Sequence, residues 1–164
     1  MPSTYAQIAT YTVPSATASY TFTSIPATYT DLVLVGDCLS TNGGGVGLSV
    51  QFNSDTGNNY LQVGYYSPGT GSSSNNSFNS GDKIYVALVD STERSGFKTD
   101  ILNYSSTATF KNTLSHGGQF NYLSGYVGMW KNSADAINSI KILCDGGSTI
   151  KADSKFSLYG ILKA

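Results

Sequence analysis

Charge is what this sequence has least of. Only 12% of its residues are Asp, Glu, Lys or Arg, where an ordinary soluble domain carries roughly 25%. The few basic residues are scattered without a cluster, and the formal net charge is −1. Nucleic-acid binding needs a basic patch that releases phosphate counterions, so that function is excluded. Long apolar runs are missing too. None approaches the ~20 residues that a membrane-spanning helix requires, so no membrane partner is expected. Cysteine is scarce: Cys38 and Cys144 are the two in the chain, too few for a disulfide framework. Both stand at the ends of strand-like runs, and reduced, partly buried thiols are their expected state in a reducing compartment. The first residues, Met1-Pro2-Ser3-Thr4-Tyr5, lack the charged and apolar regions of a secretory signal. The expectation is a chain made in a cytoplasm, with a mature form that starts near Met1.

What the chain does have is enough apolar material to fold. Hydrophobic residues make up 40% of its 164 residues, which is the size and composition of one domain with a substantial core. With so little charge, its surface must be built from Ser, Thr, Asn, Gly and Tyr, and a surface of that kind suits packing into an assembly. The densest apolar run is Leu32-Val33-Leu34-Val35, with Pro26 before it and Asn42-Gly43-Gly44-Gly45 after it. A short apolar run between such breakers reads as a strand buried on both faces. The segment 155–162 is its natural counterpart and neighbour. Further strand patterns cover 3–13, 17–25, 46–52, 60–66, 83–89, 96–104, 108–114, 120–130 and 137–144. The low-complexity stretch 67–81 reads as an exposed loop, 115–118 as a turn, and 133–136 as one helical turn at most. Ten or eleven strands with no convincing helix make an all-β, single-domain antiparallel β-sandwich, jelly-roll-like in form. Residues 1–13 form an N-terminal arm or an edge strand, and 14–164 the sandwich. Leu32, Leu34, Val50, Phe52, Ile142, Phe156 and Leu158 are the expected core.

No constellation demands a particular chemistry. Asn53-x-Asp55-x-Gly57-x-Asn59 has the alternating oxygens of a calcium loop, but Gly64 stands where an EF-hand needs its bidentate Glu. A hairpin turn closed by Asx contacts is the better reading. His116, the single histidine, lies in Ser115-His116-Gly117-Gly118 with no nucleophile elbow or oxyanion signature nearby. It reads as a solvated turn histidine. Cys38, Cys144 and His116 have no close-spaced partner for zinc, no acid/base carboxylate pair can be named, and phosphate-loop spacing is absent. No metal, no cofactor and no catalytic residue is therefore expected. Tyrosine is frequent, with 12 residues. At a sandwich rim, Tyr65, Tyr66 and Trp130 can stack on sugars or anchor a protein, or such residues can simply cover half-buried sheet faces.

Four segments carry a likeness to known proteins. They are Phe22-x-x-Ile25-Pro26-x-x-Tyr29-Thr30-Asp31-Leu32-Val33-Leu34-Val35, Phe52-Asn53-x-Asp55-x-Gly57-x-Asn59-Tyr60, Asn103-Tyr104-Ser105-Ser106 and Phe156-Ser157-Leu158-Tyr159-Gly160-Ile161. In this order they resemble a group of small tailed-phage virion proteins common among phages of cyanobacteria. Some of that group are capsid cement (decoration) proteins, and others serve tail or fibre functions. The similarity spans nearly the whole chain as a pattern of strands and turns. It implies a non-enzymatic β-sandwich on the capsid surface, assembled in the host cytoplasm as a homo-oligomer, often a trimer, seated on the major capsid protein. A tail-associated receptor- or glycan-binding module is the alternative. With almost no leader and no shaft segment, the chain fits the decoration role better. In that role Tyr5, Ile8 and Tyr11 of the arm, together with Tyr65, Tyr66 and Trp130, are the expected interface residues.

Overall fold

The computed structural model describes residues 4–69, 71, 73–120 and 122–162. Twelve strands carry them, with no helix among the described residues. In chain order these are β1 (Tyr5–Thr12), β2 (Ser19–Phe22), β3 (Leu32–Cys38), β4 (Val46–Phe52), β5 (Tyr60–Pro68) and β6 (Ser74–Gly81). Then follow β7 (Ile84–Val89), β8 (Ser95–Leu102), β9 (Lys111–Gln119), β10 (Tyr122–Trp130), β11 (Ile140–Cys144) and β12 (Lys155–Ile161). They form two antiparallel sheets of unequal width. The larger has eight strands in the order β1-β12-β3-β8-β9-β10-β5-β6, and the smaller has four, β2-β11-β4-β7. One hydrophobic core lies between them, so the chain is the antiparallel β-sandwich that its strand patterns predict.

The apolar run at 32–35 becomes β3, held between β12 and β8. Its expected counterpart at the C-terminus is β12, its hydrogen-bonded neighbour. All seven expected core residues, Leu32, Leu34, Val50, Phe52, Ile142, Phe156 and Leu158, are fully buried. Cys38 and Cys144 are buried, unbridged thiols, and burial pushes that of Cys144 up to about 12.

The loop at 53–59 is closed by Asx contacts as expected, but it turns no hairpin: it carries the chain from β4 in the small sheet to β5 in the large one, and the two strands do not pair. Asn53 and Ser54 take positive φ (51° and 59°). The Asp55 carboxylate accepts the Gly57 N–H at 2.9 Å, the Asn59 amide at 3.0 Å and the Trp130 indole N–H at 2.7 Å. Burial works against ionisation of Asp55, but the donors from Trp130, Asn59 and Gly57 prevail and hold its carboxyl below the usual carboxylate range.

Two further expectations need correction. Residues 67–81 are not one long loop, because 74–81 form β6, paired along β5 at the sheet edge. Ser and Asn are poor strand formers, but here a ready-made neighbour supplies the hydrogen bonds, and a polar edge discourages further pairing. The segment Ser115-His116-Gly117-Gly118 is not a turn. It lies inside β9 between β8 and β10, where its glycines make room for Phe97 over Gly117 and Leu123 over Gly118. Residues 133–136 form no helical turn, within the expected limit of one. Of the two readings of the N-terminal segment, arm or edge strand, the second is the one formed: β1 pairs with β12 from Tyr5↔Ile161 to Thr12↔Lys155, with a bulge between Gln7 and Ala9. Leu162 N–H donates to Thr4 C=O at 3.0 Å just beyond that ladder.

Candidate functional site

The unequal widths of the sheets create a concave feature. Across the core, β7 packs on β8, β9 and β10 but only lightly on β5. The inner face of the large sheet therefore runs on, past the edge of the small one, along β10, β5 and β6. Side chains alternate along each strand, so Tyr122 and Tyr126 of β10, Tyr66 of β5 and Asn76 of β6 share this overhang. Tyr85 and Leu88 of β7, Asp145 after β11, Gly44 and Gly45 of the glycine loop and Gly47 of β4 wall it on the other side. The result is a half-enclosed cleft of about 350 Å³.

Several ties hold the cleft in shape. Gln62 is fully buried; its Oε1 accepts the Tyr85 N–H at 2.6 Å and its Nε2 donates to Asn76 Oδ1 at 3.3 Å, linking β7 to β6. Asp145 stands beside the Tyr85 hydroxyl and acts on it electrostatically, lies 3.6 Å from the Lys83 ammonium and accepts Ser49 Oγ at 3.5 Å. Burial, and then the Asp145 carboxylate, raise the Tyr85 pKa well above its ordinary value, and burial pushes that of Tyr126 up to about 12. Both are neutral phenols at physiological pH. Their rings stand 6.0 Å apart at 50°. A side chain at position 47 would meet Tyr85 Cε1 at 2.6 Å, so only glycine admits that ring. The loop itself is anchored by Asp90, whose carboxylate accepts Thr92 N–H at 3.0 Å and Gly44 N–H at 2.8 Å.

The opposite, outer face of the same sheet is a second candidate surface. In register across it, Val127 of β10 lies between Val63 of β5 and Leu114 of β9. One pair along, Gly125 lies between Tyr65 and His116, and the Tyr65 ring covers it. Val63, Tyr65, Leu114, Leu123 and Val127 are 44–65% exposed. The row ends at Asp100, which faces Leu114 from β8 and is paired with Lys98 at 2.8 Å.

The six residues expected at an interface do not come together. Trp130 is a correction: it is 1% exposed, in the core with Phe52 and Tyr60, its indole N–H on Asp55. Ile8 and Tyr11 are half-buried against the core of their own chain, Tyr11 stacked on Tyr20 with ring centroids 3.6 Å apart. Tyr5 is 48% exposed near the large sheet's β1 edge, beside Val33, Val35, Lys98 and Tyr159. Tyr65 and Tyr66, adjacent in sequence, point to opposite faces: Tyr65 to the apolar outer surface and Tyr66 into the cleft.

Sequence reasoning missed the partners that make both surfaces. His116 is hidden by reading 115–118 as a turn, and Leu114, though inside the expected strand 108–114, has no partner strand assigned to it from sequence. For β10 a signal existed, since Leu123-x-Gly125-x-Val127-x-Met129 and Tyr122-x-Ser124-x-Tyr126 give the strand two apolar faces, one more than a single core needs. The cleft had no such signal, because its residues come from segments that only the pairing order brings together. No protein-family model matches this chain, and no curated protein matches it.

Proposed function

We propose that this chain is a non-enzymatic virion protein of the tailed-phage kind, a capsid cement protein that stabilises the head by bridging neighbouring capsomers of the major capsid protein. In this reading it is assembled in the host cytoplasm and stands on the capsid surface as a homo-oligomer, a trimer as the resemblance implies. The observation that carries the reading is the outer face of the large sheet, where Val63, Leu114, Leu123 and Val127 are exposed together with no charge in their rows before Asp100. A clustered apolar face of this kind is a docking surface. The winding also supports the reading. With the hairpins β5–β6 and β9–β10 set aside, the remaining strands fall in the orders β1-β12-β3-β8 and β2-β11-β4-β7. We read that as a jelly roll, an architecture used by capsid domains, to which two hairpins have been added. Both hairpins widen the large sheet, and with it the attachment face.

Heads lacking the protein, mixed with the purified chain, test this. The expected result is binding at a copy number comparable with the capsid protein and a higher melting temperature of the head. Val127→Lys is expected to abolish binding and leave the circular dichroism spectrum unchanged. Full binding by Val127→Lys overturns the docking face, and failure of the wild type to bind overturns the cement role. The tyrosine-lined cleft favours a second reading, a tail-associated receptor- or glycan-binding module. That role would show as a few copies per particle instead of a capsid-like number.

A further inference from the structure

We infer that the cleft between the glycine loop and the β10–β5–β6 overhang is a saccharide-binding site. The proposal deepens the glycan-binding reading of this cleft and does not rest on the cement role, because the cleft and the outer apolar face lie on opposite sides of the large sheet.

Size comes first. About 350 Å³ lies at the small end of ligand pockets, enough for one or two sugar rings and too small for a folded partner. Chemistry comes second. The lining combines tyrosine rings with short planar polar groups, the Asn76 amide and the Asp145 carboxylate, and with the glycine backbone of Gly44 and Gly45. A pyranose needs that pairing: its C–H face stacks on an aromatic ring, while its vicinal hydroxyls need both donors and acceptors. The hydroxyls of Tyr66 and Tyr122 make no hydrogen bond among the described residues. Asn76 uses Oδ1 on Gln62, which leaves its Nδ2 donors for a ligand.

Charge decides between ligand classes. Asp145 is compensated by Lys83 at 3.6 Å, and no cation is among the residues that line the cleft. A metal ion would have to displace that lysine, and an anion would meet the carboxylate unaided. A neutral polyhydroxylated ligand meets neither obstacle. Preorganisation points the same way. Gln62 and Asp145 already fix Tyr85 and Asn76, so binding orders few side chains.

The test is a ¹H–¹⁵N correlation spectrum of the full chain, titrated with methyl α-mannoside, methyl β-galactoside, N-acetylglucosamine and maltose, and separately with a proline-rich peptide. At least one sugar is expected to shift the amides of Gly44, Gly45, Tyr66, Asn76 and Tyr122 saturably, and to leave those of Val63, Leu114 and Val127 in place. Tyr122→Ala is expected to weaken that sugar about tenfold, equivalent to ~1.4 kcal/mol. Tyr66→Phe removes a single oxygen and is expected to weaken it about fivefold, ~1 kcal/mol; it decides the matter if Tyr122→Ala fails to fold. The proposal is overturned if no sugar moves the cleft amides up to its solubility limit. It is equally overturned if the peptide moves them and the sugars do not, or if neither folded variant weakens the binding.

Discussion

Asp55 shows how much one exposed-looking turn residue can hold. Its carboxylate accepts donors from Gly57, Asn59 and the buried indole of Trp130, so Asp55→Ala strands an N–H inside the core. Stranding a buried donor costs ~1–3 kcal/mol, and urea unfolding of Asp55→Ala is expected to show a loss in that range. Combining it with Trp130→Phe should make the two losses less than additive, since the second change removes the stranded donor. Asp90 gives a prediction about pH. Hydrogen bonds from Thr92 N–H and Gly44 N–H hold its carboxyl at about 2, below its ordinary 3.8. A depressed carboxylate stabilises the fold fully above its unfolded value and loses that contribution as pH falls through the folded one. Between pH ~4 and ~2 the wild type is therefore expected to lose stability more steeply than Asp90→Asn, read as denaturation midpoints at stepped pH. The Asx turn around Asp55 was legible because its residue types close a loop locally. The burial of Trp130 was not, because alternation gives two faces of a strand without saying which one meets the core.

Elements differ in how far their own residues determine them. In β3, Leu32, Val33 and Leu34 are apolar enough to demand burial whatever surrounds them, and both the strand and its core residues were readable. Leu34→Ala is expected to cost ~2–5 kcal/mol by urea denaturation, because a site enclosed by β12 and β8 cannot collapse. β6 and most of β9 lie at the other extreme. Ser, Asn and Gly would make them loops in isolation, and they are strands because β5, β8 and β10 offer paired edges. β1 falls between. Its interrupted pattern of Tyr5, Ile8 and Tyr11 suits either an arm or an edge, and the ladder to β12 together with the Tyr11–Tyr20 stack makes it an edge of its own sheet. Deleting residues 1–12 is therefore expected to lower stability by ~2–4 kcal/mol, given the half-burial of Ile8 and Tyr11, and to promote aggregation through the bared β12. A truncated chain with an unchanged urea midpoint would show that β1 contributes nothing to the fold.

At the scale of the molecule, the sandwich was readable from strand count and turn spacing, and the inequality of its sheets was not. Composition says how much surface must be buried, but the order of pairing decides which faces are left over. Here that order leaves two, a tyrosine-lined inner overhang and an apolar outer plane, and neither is local to any stretch of sequence. The same pairing order has a consequence for connectivity. Thr4 and Leu162 are hydrogen-bonded neighbours beyond the last rung of the β1–β12 ladder, so the described fold begins and ends at one place. A short glycine-serine linker from Leu162 to Thr4, with new ends opened between Pro68 and Ser74, is expected to give a permutant with the parent's circular dichroism and cooperative unfolding. Such a molecule would begin in β6 and end in β5. Which strand comes first would then be a matter of where translation starts, and no longer of how the sheets are built.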